Sequence, residues 1–244
     1  MDQFQRIELL FGKEAIEIFQ KSRVAVMGLG GVGSFAAEAL ARSGIGSILL
    51  VDFDKVSISN LNRQIIALNS TIGKLKTEVM KERILDIDPE AKVEIYSDFV
   101  DKDSRSFLLG NVDFVVDAID SLTPKVGLLE DVYHQKIPVI SVMGAGSRFD
   151  PAKIKLTDIS KTETCPLARK VRKYLHRRGI YQGIPVIFST ETPIPQFDFE
   201  AGSEEDWTTT RGRKRGTLGS VVYLPAIMGM WAASYVLRKL AGKI

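Results

Sequence analysis

Cysteine is almost missing from this chain: Cys165 is the only one in 244 residues. A single thiol cannot close a disulfide within the chain, and it excludes a multi-cysteine zinc site. Excess charge of one sign is missing too. The 33 Lys and Arg against 30 Asp and Glu leave a formal net charge of +3, so any affinity for nucleic acid must come from local clusters. The opening stretch MDQFQRIELLFGKEAIEIFQ carries charges throughout. It is therefore not a signal peptide, and a cytoplasmic location is the expectation. Long apolar runs are missing with one exception, residues 218–237, LGSVVYLPAIMGMWAASYVL, which hold 20 residues without a charge. That is the length of a membrane span. The run also contains Pro225, Ser220, Ser234 and two tyrosines. A buried core helix is the expectation, with membrane contact as the alternative.

What remains is ordinary in bulk, 45% hydrophobic and 26% charged, and long enough to bury a substantial core. Over the first 145 residues, strand and helix patterns alternate. RVAVMG, SILLVD, KVEIYS, DFVVDAID and IPVISVM read as strands. VGSFAAEALARSG, GKLKTEVMKERILDIDP, SRSFLLG and TPKVGLLEDVYHQK read as helices. Such alternation predicts an α/β fold: a mostly parallel sheet with helices on both faces. Beyond Met143 the pattern changes. GAGSRFDPAKIKLTDIS suits a turn and an edge strand, which makes an antiparallel C-terminal extension. CPLARKVRKYLHRRG reads as a basic helix and IPVIFSTETP as another strand. Residues 191–216, rich in Pro, Gly, Ser, Thr and charge, read as a long exposed loop. The expectation is one domain over residues 1–244, with a nucleotide-binding half (1–145) and a substrate half (146–244).

The stretch VAVMGLGGVGSFAAEAL places Gly28, Gly30 and Gly33 between a strand and a helix. Glycines there permit a tight turn and close approach to a phosphate, and the helix N-terminus supplies free N–H groups and partial positive charge. Asp52 ends the second strand, where an acid commonly binds ribose hydroxyls. The next segment, VDFDKVSISNLNRQ, adds Asp54, Asn60, Asn62 and Arg63, and GKLK adds Lys74 and Lys76 in what reads as the first turn of a helix. Cations there oppose the helix dipole, which a bound triphosphate would offset. Asp117 and Asp120 follow at the end of the fourth strand. The carboxyl ends of neighbouring parallel strands face one crevice. A glycine loop, Arg63, Lys76 and Asp120 can converge there, and a carboxylate facing phosphates suggests magnesium between them. This set suits phosphate chemistry rather than hydride transfer by an NAD-binding oxidoreductase. It also argues against a nucleotide-binding protein without activity.

GLGGVGS, DFDKVSISNLNRQ, GKLK and DAID, in this order, resemble the ThiF/MoeB/HesA family, relatives of the ubiquitin-activating enzymes. The resemblance implies a Rossmann-like adenylation domain, typically a homodimer, that uses ATP and Mg2+ to adenylate a carboxylate. It implies Asp52 at the ribose and Gly31 against the phosphates, with Gly28, Gly30, Gly33 and Asp54 also in the ATP site. Asn60, Arg63, Lys76 and Ser121 join the ATP site, and Asp120 holds the metal. Arg6, in FQRIELLFG, resembles the family's N-terminal arginine that reaches the partner subunit's ATP. The paired-cysteine zinc site of many carrier-activating members is absent.

Residues of the second half, DISKTETCPLARKVRK and VIFSTE, resemble one subfamily, the tRNA threonylcarbamoyladenosine dehydratases. That implies an ATP-dependent cyclisation beside the anticodon: the threonyl carboxylate is adenylated, the carbamoyl group closes on it, and water is lost overall. The competing reading is an enzyme that adenylates the C-terminus of a ubiquitin-like sulfur-carrier protein. A sulfur-transfer partner protein is left open. Independent support for tRNA comes from concentrated basic charge. Arg169, Lys170, Arg172, Lys173, Arg177 and Arg178 fall within ten residues, and Arg211, Arg213, Lys214 and Arg215 follow later. Cations of this kind position an RNA backbone. Tyr174, Tyr181 and His176 can stack on unpaired bases. Cys165 reads as an incidental buried residue and His134 as a helix-surface residue.

Overall fold

The computed structural model describes residues 3–195 and 218–244. Its centre is a seven-stranded sheet made from β1 (Arg23–Met27), β2 (Ser47–Val51), β3 (Lys92–Tyr96), β4 (Phe114–Asp117), β5 (Val139–Val142), β6 (Ile154–Asp158) and β7 (Pro185–Ser189). The strand order is β3-β2-β1-β4-β5-β7-β6. All neighbours are parallel except β6, which runs antiparallel to β7 at the edge. The mostly parallel α/β fold with an antiparallel end is thus as the sequence pattern implies.

The central strands are mostly apolar because both faces are covered, with Asp117 of β4 and Ser141 of β5 as buried polar exceptions. From β1, Val24 and Val26 enter one core and Ala25 and Met27 the other. The first core is closed by α2 (Lys13–Lys21), α3 (Gly33–Arg42), α4 (Lys76–Ile87) and α8 (Tyr223–Leu240), with α1 (Gln5–Phe11) beside α2. The second is closed by α5 (Lys102–Leu108), α6 (Leu122–Gln135) and α7 (Pro166–His176). The apolar run at 218–237 forms most of α8. Its Leu224, Met228, Ala232 and Val236 are fully buried. At Gly229 a Cβ would stand 2.3 Å from the Val32 carbonyl oxygen, so glycine lets α8 lie directly on α3. No helix among the described residues is long and apolar enough to cross a membrane.

Two element boundaries differ from the sequence pattern. The strand of DFVVDAID stops at Asp117, where the carboxylate accepts the N–H of Ile119 (3.1 Å) and turns the chain. The helix of GKLK begins at Lys76, not Gly73. The Lys74 carbonyl accepts the N–H of Val56 (2.9 Å), and Lys55 and Leu75 form an antiparallel bridge. Lys74 therefore lies before the helix rather than in its first turn. Residues 196–216 of the loop expected at 191–216 fall outside the described residues.

Candidate active site

The strand order reverses between β1 and β4, and at such a point an open parallel sheet leaves a crevice beyond its carboxyl ends. The glycine loop fills the β1 side. Gly28 has φ +94°, a conformation that disfavours side chains, and its N–H donates to Val51 (2.7 Å). A Cβ at Gly33 would lie 1.7 Å from the Gly28 carbonyl oxygen. A Cβ at Gly31 would meet the Arg63 carbonyl (3.1 Å) and Pro225 (3.3 Å). At Gly30 nothing comes nearer than the Gln64 Nε2 at 4.0 Å. The loop is thus clamped at three glycines and open at the fourth. The N-terminus of α3 behind it has no side-chain cap, which leaves its N–H groups for an anion.

Asp52 lies beside this loop. Its carboxylate accepts the N–H of Leu29 (2.6 Å) and of Asp54 (2.8 Å). Burial pushes its carboxyl above the ordinary range, and the Lys76 ammonium pulls in the opposite direction. Lys76, nearly buried, lies 2.8 Å from the Asp54 carboxylate and 3.8 Å from that of Asp52. These acids, rather than a triphosphate alone, offset a cation at the start of α4. Arg63 Nη1 donates to the Ser59 carbonyl (2.6 Å) and to Asn62 Oδ1 (2.9 Å). Asn60 is buried, and its Oδ1 accepts the Ser57 N–H (3.2 Å), which shapes the turn before Arg63.

On the β4 side Asp120 is exposed beyond the strand end, and Ser121 is the N-cap residue of α6. Asp117, expected to face the crevice with Asp120, instead points inward. It is fully buried and paired with Lys125 at 2.8 Å. The described residues contain no group of three or more His, Cys, Asp or Glu able to hold a metal. The exposed carboxylate of Asp120 is an oxygen donor of the kind Mg2+ takes, since that ion is commonly held by one or two carboxylates together with substrate phosphates.

A segment that the sequence pattern did not flag as part of the site also borders the crevice. The segment leading into α8 forms a strap over it: Asn62 Nδ2 donates to the Ser220 carbonyl (3.0 Å), and the Ser147 N–H donates to Gly219 (2.7 Å). Among the described residues two buried side-chain atoms lack a hydrogen-bond partner, Gln64 Oε1 and Arg148 Nη2, and both residues adjoin this strap region. The periodicity of a sequence carries no sign of either. A cavity of about 440 Å³ at the β6 edge and another of about 360 Å³ at the amino ends of β4 and β5 lie away from the glycine loop.

Other expected residues stand apart from the crevice. Arg6 is exposed on α1. Helix α7 buries Ala168, Val171 and Leu175 and turns Arg169, Lys170, Lys173 and Arg177 outward. Arg172 is tied inward, donating to the Thr162 carbonyl (2.7 Å), and Arg178 pairs with Glu130 (2.9 Å). Arg177 lies over the ring of Tyr174, and the rings of His176 and Tyr181 are 5.1 Å apart. Cys165 is buried at the N-terminus of α7, and His134 is exposed. Arg211, Arg213, Lys214 and Arg215 lie outside the described residues.

Comparison with known proteins extends this geometry. The chain is 43% identical to a tRNA threonylcarbamoyladenosine dehydratase of Bacillus subtilis, over 98% of this chain and 95% of the relative. It is 40% identical to the Escherichia coli protein of that name, over 96% and 91%. A crystal structure of the E. coli tRNA N6-threonylcarbamoyladenosine dehydratase in complex with ATP superposes with a TM-score of 0.85 at 37% identity, covering 99% of this chain and 94% of that one. The model of the ThiF family matches residues 4–244, a span that takes in both the glycine loop and the strap, and the chain is a member of the ThiF family.

Proposed function

We propose that this protein is an ATP-dependent tRNA threonylcarbamoyladenosine dehydratase. The observation that carries the reading is the crevice itself. A clamped glycine loop, a buried Asp52 and a pre-positioned Lys76 adjoin it, and all suit a nucleoside triphosphate. The similarity of the second half to the named relatives supports the substrate.

In this reading the α3 N-terminus and the Gly30–Gly31 backbone bind phosphates. Asp52 accepts from the ribose, with Asp54 orienting Lys76 beside it. Lys76 and Arg63 stabilise negative charge as the threonyl carboxylate attacks the α-phosphorus and pyrophosphate departs. Asn60 shapes the turn that presents Arg63, and Ser121 starts the helix behind Asp120. Asp120 would hold Mg2+, which supplies charge neutralisation at the phosphates when bound. The resulting acyl adenylate is closed by the carbamoyl group of the same nucleoside, and AMP leaves. No cysteine nucleophile is required, in keeping with a buried Cys165. No sulfur moves, so the reaction does not call for a sulfur-transfer partner.

The outward cations Arg169, Lys170, Lys173 and Arg177 hold the tRNA backbone. A homodimer accounts for α1, whose Leu9 and Leu10 are 84% and 79% exposed. On the same helix Arg6 is free to reach the ATP of the other protomer. A cytoplasmic location follows from a tRNA substrate.

The test is direct. The full chain is incubated with ATP, Mg2+ and threonylcarbamoylated tRNA, and the nucleosides are analysed by mass. ATP-dependent loss of one water is expected. Unchanged nucleosides, with adenylation of a sulfur-carrier C-terminus instead, would replace the reading with that of a carrier-activating enzyme.

A further inference from the structure

Lys125 and Asp117 are an ion pair with both side chains fully buried. Removing two charges from water is costly, and a well-packed apolar pair often serves a core as well or better. Stability alone therefore does not account for it, and its hydrogen bonds indicate another use. Lys125 Nζ donates to the Ile119 carbonyl (2.9 Å) besides its contact with Asp117. Asp117 Oδ1 accepts the Ile119 N–H (3.1 Å), and Oδ2 accepts the Ser141 hydroxyl of β5 (2.6 Å). Both backbone groups of Ile119 are thus clamped by the pair. The preceding residue is fixed to the other wall: the Ala118 N–H donates to Met27 (2.9 Å), and its carbonyl oxygen lies 2.9 Å from where a Cβ of Gly28 would stand. The next residue is Asp120.

We propose that Lys125 and Asp117 are positioning residues for Asp120. Through the two ends of Ile119 the pair sets the carboxylate at a fixed place relative to the glycine loop, using β4, β5 and α6 as the frame. This rests on the reading of Asp120 as the metal-holding residue. A neutral packing pair could fill the volume, but it could not hold a carbonyl and an N–H of one residue at once.

The test uses Mn2+ as a paramagnetic probe, titrated by electron paramagnetic resonance against the full chain saturated with a non-hydrolysable ATP analogue. The variant Lys125→Met/Asp117→Asn removes both charges together and leaves neither unpaired. Its Mn2+ affinity is expected to fall about tenfold, the lower end of the usual effect of an orienting partner. Binding of the analogue without metal stays unchanged. In an Asp120→Asn background the same pair of substitutions produces no further loss. Ser141→Ala, which leaves the ion pair in place, loses affinity in the same direction but by less, and serves if the double variant does not fold. Unaltered Mn2+ affinity in the double variant and in Ser141→Ala overturns the inference. So does an equal loss with and without Asp120, since the damage would not pass through that carboxylate. If Asp120→Asn alone leaves Mn2+ affinity unaltered, the role given to Asp120 fails first, and the inference with it.

Discussion

Lys125 and Asp117 are fully buried and bonded to each other, whereas Arg169, Lys170 and Lys173 on α7 stand in solvent. The same kinds of charge act differently in the two places. Near the crevice, Lys76 and Asp52 have fixed partners at fixed distances, and a low local dielectric strengthens whatever they face. On α7, water and salt weaken each cation. In the proposed role, binding there would depend on how many phosphates are met and not on any single angle. Geometry governs the first region and number governs the second.

The sharpest way to break the contrast is at the most confined atom. Gly33→Ala places a Cβ 1.7 Å from the Gly28 oxygen, so the loop must move. Loss of measurable ATP binding and a lowered melting temperature are expected, and wild-type binding by calorimetry would contradict the clamped loop. Next in size, Asp120→Ala should reduce turnover about 10²- to 10³-fold, as loss of a single charge-stabilising group does, with tRNA binding retained. Unchanged turnover would remove Asp120 from the site.

On α7 the effect is smaller and depends on salt. Replacing Arg169, Lys170 and Lys173 together by alanine should flatten the dependence of log affinity on log salt by about one per cation removed, with ATP binding unaffected. Arg172→Ala is the control within the same helix. It removes the bond to Thr162 and should lower stability by about 2 kcal/mol while leaving the salt slope as it is. A changed slope would place Arg172 among the phosphate contacts.

The smallest effect is a pH dependence. Burial holds the Asp52 carboxyl above its ordinary range, so the native chain binds a proton where an unfolded chain remains ionised. Stability of the free protein therefore rises as pH falls through that window, while ATP affinity should fall if Asp52 is the ribose acceptor proposed for it. Melting and binding curves followed as the pH is lowered from neutrality should move in opposite directions. Parallel movement would show that Asp52 does not dominate either.

The strands and the glycine loop were legible because a sheet covered on both faces forces continuous apolar runs, and because only glycine fits at Gly28 and Gly33. Asp117 was placed beside Asp120 because spacing identifies the end of a strand but not the direction of each side chain. Its partner Lys125 reads as an ordinary helix lysine until α6 is laid against β4. Among the α7 cations, helical periodicity separates Ala168, Val171 and Leu175 from the rest. It cannot find the Thr162 carbonyl that captures Arg172, because that contact spans ten residues of chain. The strap was equally hidden: residues 219 and 220 meet Ser147 and Asn62 only through the tertiary fold.

Helix α8 lies on α3 through Gly229, and Pro225 touches the glycine loop at Gly31. A segment far along the chain therefore helps to line the pocket begun by β1 and its loop. For the same reason, residues 218–244 supplied as a separate peptide would be the natural complement in a split version of this enzyme, with nucleotide binding as the signal of reassembly.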